Sequence, residues 1–475
     1  MKQPWRHTAL LLCLMQTLAP FVAAADTTTE TASSTESTTT SRSSSSSGSS
    51  SGSSKTSSKT SSESPASVTT LRGTKTYEPT TVPSNAYSDY TSQITLTYSS
   101  GTSSNATAST SHSVTFTGSL EPSTTMAGNA TMTSSATPTN TQPCNNYVEL
   151  CTRRYSDVTE IGCHNSPFVR KGSSAANQQL PVRDQLNDGV RFLQAQMQWP
   201  ADAATSSDVE PHFCHTSCDI LDAGPVSDWL GEVRAWVDAH PYDVVTILIG
   251  NGNYSNPDMF AKYFEATGIT KYAYLPPLFP MKRSDWPTLG EMIVAGKRVV
   301  MFLDYEADQA KYPWLLQEFS QMWETPFDPE DRSFPCTVNR PPNLSDADAK
   351  DRLYLVNHNL NVEYSLFGAS ILVPAVTLLN QTNNNEGNGS LGMTAANCYK
   401  QWGVLPKVLN VDFYNIGGEY DSGAVFKVAA AMNNVTYNRT CCGKVPSAAS
   451  RRQEIAGLAA GVGTVVSLAL AFGIL

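Results

Sequence analysis

Residues 158–165 read Val158-Thr159-Glu160-Ile161-Gly162-Cys163-His164-Asn165, a short β-branched and apolar run that stops at two polar side chains. Runs of the same kind recur at Val190 to Met197, Val244 to Gly250, Val299 to Leu303, Tyr354 to Val356 and Val408 to Val411. Such runs predict strands. Between the second and third, Val226 to His240 sets Trp229, Leu230, Val233, Trp236 and Val237 at helical spacing. Near-continuous apolar strands separated by helices predict a parallel sheet buried on both faces. With this many repeats the expected fold class is α/β, a (β/α) TIM-type barrel, regular or irregular; periodicity leaves its closure open. No Gly-rich phosphate loop follows the first strand, which argues against a nucleotide-binding fold.

The barrel is expected over 142–445, flanked by segments of other composition. Residues 1–25 carry Lys2 and Arg6, the apolar run Leu10 to Val22 and then Ala23-Ala24-Ala25, the order of a cleavable signal peptide. Residues 26–141 are rich in Ser and Thr and poor in large apolar side chains, so they are expected to form a disordered, O-glycosylated stalk. Within them Tyr87 to Tyr98 alternates enough to suggest a transient strand. Residues 446–475 end in the uncharged run Ile455 to Leu475, preceded by Ser447-Ala448-Ala449 and a short polar spacer. This order predicts a glycosylphosphatidylinositol (GPI) signal with attachment at Ser447.

These ends predict a secreted protein held at the cell surface, on the outer leaflet or cell wall. Eight N-glycosylation sequons stand at Asn105, Asn129, Asn253, Asn343, Asn380, Asn388, Asn434 and Asn438. Nine of the ten cysteines remain once Cys13 leaves with the signal. In an oxidising compartment they read as a disulfide framework with one thiol left over. Cys144 with Cys151 and Cys214 with Cys218 are local candidates, Cys441-Cys442 are expected to tie the barrel's end to distant loops, and Cys163 is the expected free thiol. A zinc site at Cys214, His215 and Cys218 is the lesser alternative. The net charge of −10 argues against a nucleic-acid partner.

In a parallel barrel, polar residues at the carboxyl ends of the strands build the site. His164 and Asn165 follow the first strand, Gln194 and Gln196 lie on the second, and His215 follows Pro211-His212-Phe213. Asp304 and Glu306 end the fourth run, and Asp412 ends the last. Taken singly, each also reads as a satisfied loop or core polar group. Two histidines and a carboxylate at three such ends favour acid–base chemistry.

The stretch Thr159 to Val169, with Gln185-Leu186-Asn187-Asp188-Gly189-Val190-Arg191-Phe192-Leu193 and Phe213-Cys214-His215-Thr216-Ser217-Cys218, resembles the X region of phospholipase C-like phosphodiesterases. Asp243-Val244-Val245-Thr246-Ile247 after His240-Pro241, and Leu409-Asn410-Val411-Asp412-Phe413-Tyr414, continue the likeness to phosphatidylinositol-specific phospholipase C and its secreted fungal relatives. The resemblance spans Cys144 to Cys442 and implies a phosphoric diester hydrolase. One histidine would take the proton of an inositol hydroxyl that attacks phosphorus, and the other would protonate the leaving glycerol oxygen. Position by position His164 matches the base, His215 the acid, and Asp412 the carboxylate that assists them.

Asn165, Gln194, Gln196 and Asp304 are the expected substrate-binding residues. The family stabilises the phosphorane with an arginine or a calcium ion at the second strand, where this chain has Gln194 and Gln196; Gly250 or Asn251 replaces a further carboxylate. No cofactor is demanded, and a divalent cation stays open as an alternative. The expected partners are a phosphoinositide or glycolipid head group and, through the lipid anchor, the membrane surface. Three further readings stand beside the hydrolase: a weak or inactive barrel that binds inositol or sugar head groups, a metal hydrolase using His164, Asn165, His215, Asp304 and Asp412, and a glycosidase pair at Asp304 and Glu306.

Overall fold

The computed structural model describes residues 87, 92–96, 118–119, 139–200, 208–366, 369–418, 423–439 and 441–442. The expected signal peptide, the GPI signal with Ser447, and the sequons at Asn105 and Asn129 lie outside them. Along the chain run β1 (Glu160–Cys163), α1 (Val182–Asp188), β2 (Phe192–Gln198), α2 (Val226–Ala239) and β3 (Val245–Gly250). Then come α3 (Ala261–Ala266), α4 (Leu289–Val294), β4 (Val299–Leu303), β5 (Leu315–Gln317) and β6 (Met322–Glu324). The last are α5 (Asp346–Asp351), β7 (Leu353–Asn357), α6 (Leu391–Trp402), β8 (Val408–Val411) and α7 (Ala424–Met432).

The eight strands form one sheet in the order β5-β4-β3-β2-β1-β8-β7-β6. Every neighbouring pair is parallel. Since the first strand pairs with the last, the sheet curls into a barrel. The ladder is broken between β5 and β6, which a single helical turn, Glu318–Gln321, connects. The barrel is therefore irregular. β5 and β6, three residues each, had no counterpart among the expected strands.

Alternate residues of each strand face opposite cores. Ile161, Leu193, Ile247, Met301, Val356 and Leu409 pack outward against α2, α6 and α7. Phe192, Leu248, Val300, Phe302, Leu355 and Val408 pack inward with Tyr155 and Trp286. The interior is tight: a Cβ on Gly162 would sit 2.8 Å from Val408 Cγ1 and 3.1 Å from Phe192. At the amino end of the barrel, Lys407 Nζ lies 2.7 Å from the buried Glu160 carboxylate. Burial pushes Lys407 down to about 8 against the pull of Glu160. This pair belongs to the barrel's base, remote from the strand ends where chemistry is expected.

Disulfides join Cys144 to Cys151 and Cys214 to Cys218, as the spacing suggests, and Cys336 to Cys398 ties the β6–β7 connection to α6. Cys441 pairs with Cys442, so this pair does not reach distant loops. The Cys214–Cys218 bond also removes the zinc alternative, because neither sulfur is a thiolate. Cys163 is free and buried among the outward-facing residues. The sequons at Asn253, Asn343, Asn380, Asn388, Asn434 and Asn438 all stand exposed. Among the described residues no helix is long and apolar enough to cross a membrane.

Candidate active site

β1 and β8 are register neighbours, with Cys163 opposite Val411, so the residues that follow them emerge side by side at the carboxyl end. His164 and Asp412 are those residues. His164 Nδ1 lies 2.8 Å from Asp412 Oδ1, and both side chains are buried. Three amides from neighbouring loops hold the pair. Asn177 Nδ2 donates to Asp412 Oδ1 at 3.0 Å, Gln178 Nε2 to the His164 and Val411 carbonyls at 2.8 and 3.0 Å, and Asn383 Nδ2 to the Asp412 carbonyl at 2.8 Å. A proton on Nδ1 satisfies Asp412 and leaves Nε2 as the working nitrogen. Burial lowers the pKa of His164, but the charge and hydrogen bond of Asp412 outweigh it, so the net shift is upward.

His215 comes from a hairpin, His212–His215 with Leu221–Pro225, that pairs against the end of β2 through Met197 and Gln198. The Cys214–Cys218 bond closes a small loop around it. The ring packs edge-on to Phe168 at 5.2 Å, and Thr216 Oγ1 stands 3.2 Å from its Nδ1. Burial first, then the charge of His164, pushes His215 down to about 4. The two imidazoles thus sense each other and differ in proton affinity.

The other expected residues differ in how available they are. Gln196 points across β3, where a Cβ on Gly250 would fall 2.2 Å from its Oε1; the glycine makes room for the amide. Gln194 lies deeper and its Oε1 accepts from Asn410 Nδ2 at 2.8 Å. Asn165, in the left-handed region at φ 50°, donates to Asn177 Oδ1 at 3.3 Å. Asp304 Oδ1 accepts the backbone N–H groups of Asn251 and Tyr305 at 2.7 and 2.8 Å, so the carboxyl closes a loop. Burial raises it to about 7 although Arg340 opposes the shift.

Glu306 is exposed at φ 63° while Asp304 is buried, which removes the glycosidase pair. A calcium ion of the kind the family uses does not fit the β2–β3 positions. They offer two amides, one of them engaged, and no carboxylate. Among the described residues the only three side chains that converge as metal donors are Asp188, Cys441 and Cys442, with both sulfurs in a disulfide. The metal-hydrolase reading of His164, Asn165, His215, Asp304 and Asp412 therefore has no ligand cluster.

Four charged groups at the mouth escaped the sequence reading. Arg340, from the long β6–β7 connection, places Nε and Nη2 at 3.0 and 2.6 Å from Glu324 Oε2, and its guanidinium lies 4.2 Å over the Phe327 ring. Burial, then the Glu324 charge, pushes Glu318 well above the usual carboxylate range. Burial raises Asp328 to about 6, while His164 and then Arg340 pull it down. A cation does stand at this mouth, on the side of β6 rather than β2. Only a charged residue in an irregular loop marked it in sequence, a signal shared by many surface arginines.

The sequence model of the family described as PI-PLC X 1 matches residues 150–427. An uncharacterized secreted protein of Arthroderma benhamiae is 48% identical over 330 residues, covering 69% of this chain and 73% of its own. A PI-PLC X domain-containing protein 1 from the same organism is 40% identical over 294 residues, covering 62% of this chain and 90% of its own. Among solved structures, a phosphatidylinositol-specific phospholipase C from Listeria monocytogenes aligns at 12% identity and TM-score 0.37, over 60% of this chain and 96% of that one.

Proposed function

This chain belongs to the PI-PLC X family, and from that premise we propose that its barrel is a phosphoric diester hydrolase acting on phosphoinositides or related glycolipids. The observation that carries the reading is the buried His164–Asp412 pair at 2.8 Å with His215 close enough to feel its charge. His164 Nε2 takes the proton of an inositol hydroxyl as that oxygen bonds to phosphorus. The bond to the glycerol oxygen breaks, and His215 gives that oxygen a proton, leaving a cyclic phosphate and a diacylglycerol. A bound phosphodiester anion favours the charged form of a nearby imidazole, which supports His215 as the acid despite its low pKa in the free protein.

A second reading is favoured by one observation. At the phosphorane position the chain offers Gln196, and Asp304, Glu318, Glu324 and Asp328 gather around the mouth against Arg340 and His164. This is the head-group-binding barrel with little or no turnover.

Incubating the purified protein with labelled phosphatidylinositol and GPI lipids, with and without divalent cations, separates the two. A cyclic phosphate that disappears in His164→Ala is expected. Binding without product from the natural sequence would replace the hydrolase by the binder.

We further propose that the protein is secreted, N-glycosylated and held at the cell surface by a GPI anchor at or near Ser447. The relative at 48% identity is named a secreted protein, and six sequons are exposed. Release from cells by a phospholipase that cuts GPI anchors is expected. Retention after that treatment, with an intact Leu475 by mass spectrometry, would overturn it.

A further inference from the structure

The four disulfides among the described residues differ in what they can do for the fold. A cross-link stabilises mainly through the loop it closes in the unfolded chain, and more for longer loops. Cys336–Cys398 spans 62 positions, Cys144–Cys151 spans 7 and Cys214–Cys218 spans 4. Cys441 and Cys442 are adjacent, so their bond constrains almost nothing beyond the peptide unit between them. Stapling the barrel does not explain this pair. Nor does it explain the group that lies against it, the carboxylate of Asp188 at the end of α1, 254 positions before Cys442.

Two hydrogen bonds fix that carboxylate. Asp188 Oδ1 accepts the Cys442 N–H at 3.2 Å, and Oδ2 accepts the Tyr414 hydroxyl at 2.6 Å. A carboxylate oxygen and the two Sγ atoms all lie within 4.8 Å of one another. Cys442 is buried while Cys441 and Asp188 are half-buried, so the group opens to solvent on the Cys441 side. Joined as a disulfide, the sulfurs are poor ligands. Opened, the same three side chains offer two thiolates and a carboxylate, three negative donors in one place. Like charges at such separations oppose one another's ionised forms, and a cation that favours sulfur relieves that opposition. Because Asp188 is already held in position, little further ordering is needed to recruit it.

We propose that Cys441, Cys442 and Asp188 form a reductively gated site for a thiophilic divalent cation of the zinc or cadmium class. The thiolate of a small thiol reductant attacks the half-buried Cys441 sulfur, the Cys441–Cys442 bond breaks, and Cys442 leaves and takes a proton. A second reductant thiolate resolves the mixed disulfide and frees Cys441, which also takes a proton. The protein gains two electrons and two protons, and the reductant is oxidised to its own disulfide. The cation then displaces the two thiol protons to solvent and takes Asp188 as its third protein ligand, leaving one position for water. In an oxidising compartment the site stays shut; it opens where the protein meets a thiol pool. It uses none of the residues proposed for phosphodiester chemistry.

The test uses the full chain, oxidised or treated with a phosphine that opens disulfides without competing for metal, and cadmium ion as the probe. Alkylation and mass spectrometry of the peptide holding Cys441 and Cys442 report whether the pair is open. The reduced protein is expected to show a thiolate-to-cadmium charge-transfer band that the oxidised protein lacks. Cys441→Ser with Cys442→Ser should abolish the band, and Cys214→Ser with Cys218→Ser should keep it. Asp188→Asn should keep the band but weaken cadmium binding by about tenfold or more. Since the bridge closes no loop, the oxidised Cys441→Ser with Cys442→Ser form should melt at the temperature of the natural protein. A pair that stays closed while Cys214–Cys218 opens, or an open pair without a band, overturns the site. So does a band that survives in Cys441→Ser with Cys442→Ser, or an affinity unchanged in Asp188→Asn. A large drop in the melting temperature of the serine form would make the pair a staple instead.

Discussion

Asp412 raises the proton affinity of His164 while burial lowers that of His215, so the proposed acid–base pair has a pH window bounded by the two shifts. The rate constant kcat/KM is expected to fall below about pH 4, where His215 takes a second proton, and again above the raised pKa of His164, where the last proton leaves. A profile flat across that upper limb would remove His164 from the mechanism. Gln196 is the other lever. An arginine there would put a charge at the developing phosphorane, worth on the order of 2 kcal/mol or more and roughly tenfold to a hundredfold in turnover. Gln196→Arg is expected to raise kcat on phosphatidylinositol and to leave activity dependent on His164; no gain means that Asp304 or Glu324 captures the guanidinium. Asp304 itself has a folded pKa of about 7, above its unfolded value near 4. Its contribution to stability is present at low pH and is lost as pH rises through that window, a change on the order of 4 kcal/mol. Asp304→Asn keeps an acceptor for the two N–H groups and cannot ionise. It should therefore gain on the natural protein between pH 5 and pH 8, as read by denaturant midpoints.

At the scale of elements, the inward faces of the strands decide what the barrel tolerates. Gly162 has Val408, Asn410 and Phe192 within 3.1 Å of where its Cβ would be, all on neighbouring strands that cannot move apart without breaking the ladder. Gly162→Ala is expected to cost about 1–3 kcal/mol by overpacking, measured by thermal unfolding. The same tight core explains what the sequence made legible. β3, β4 and β7 read as near-continuous apolar runs because both faces are buried, β1, β2 and β8 keep one apolar face and turn Glu160, Gln194, Gln196 and Asn410 to the other, and α2 shows its stripe because only one side packs. β5 and β6 were hidden because three residues are too few to display a period, and because β6 ends in Glu324, buried with Arg340 and Asn357 as its partners. The His164, His215 and Asp412 positions could be read since each follows a recognisable strand or hairpin. Arg340 and Asp328 could not, since they lie on an irregular connection with no pattern to place them. Cys163 was legible as the odd thiol, and burial pushes its pKa well up, which disfavours the thiolate.

The whole molecule carries a formal net charge of −10, of which Asp304, Glu324 and Asp328 stand at the mouth beside Arg340, on the face where a lipid head group would enter under the proposed function. Phosphatidylinositol presents an anionic surface, so approach to a vesicle of that lipid is opposed over long range. The opposition acts over about 30 Å at 0.01 M ionic strength and about 8 Å at 0.15 M. A basic enzyme on the same vesicle would lose rate as salt rises, because steering is screened. Here screening removes repulsion, so initial rates are expected to rise between those two salt concentrations. The rise should shrink when phosphatidylinositol is diluted into a zwitterionic carrier, because surface potential then falls while the chemistry at His164 is unchanged. Two outcomes would count against this account. A rate that falls with salt would mean that a basic surface, and not the acidic mouth, meets the membrane. A rise of equal size on diluted and pure vesicles would mean that salt acts inside the site, on the Arg340–Glu324 pair, rather than on the approach.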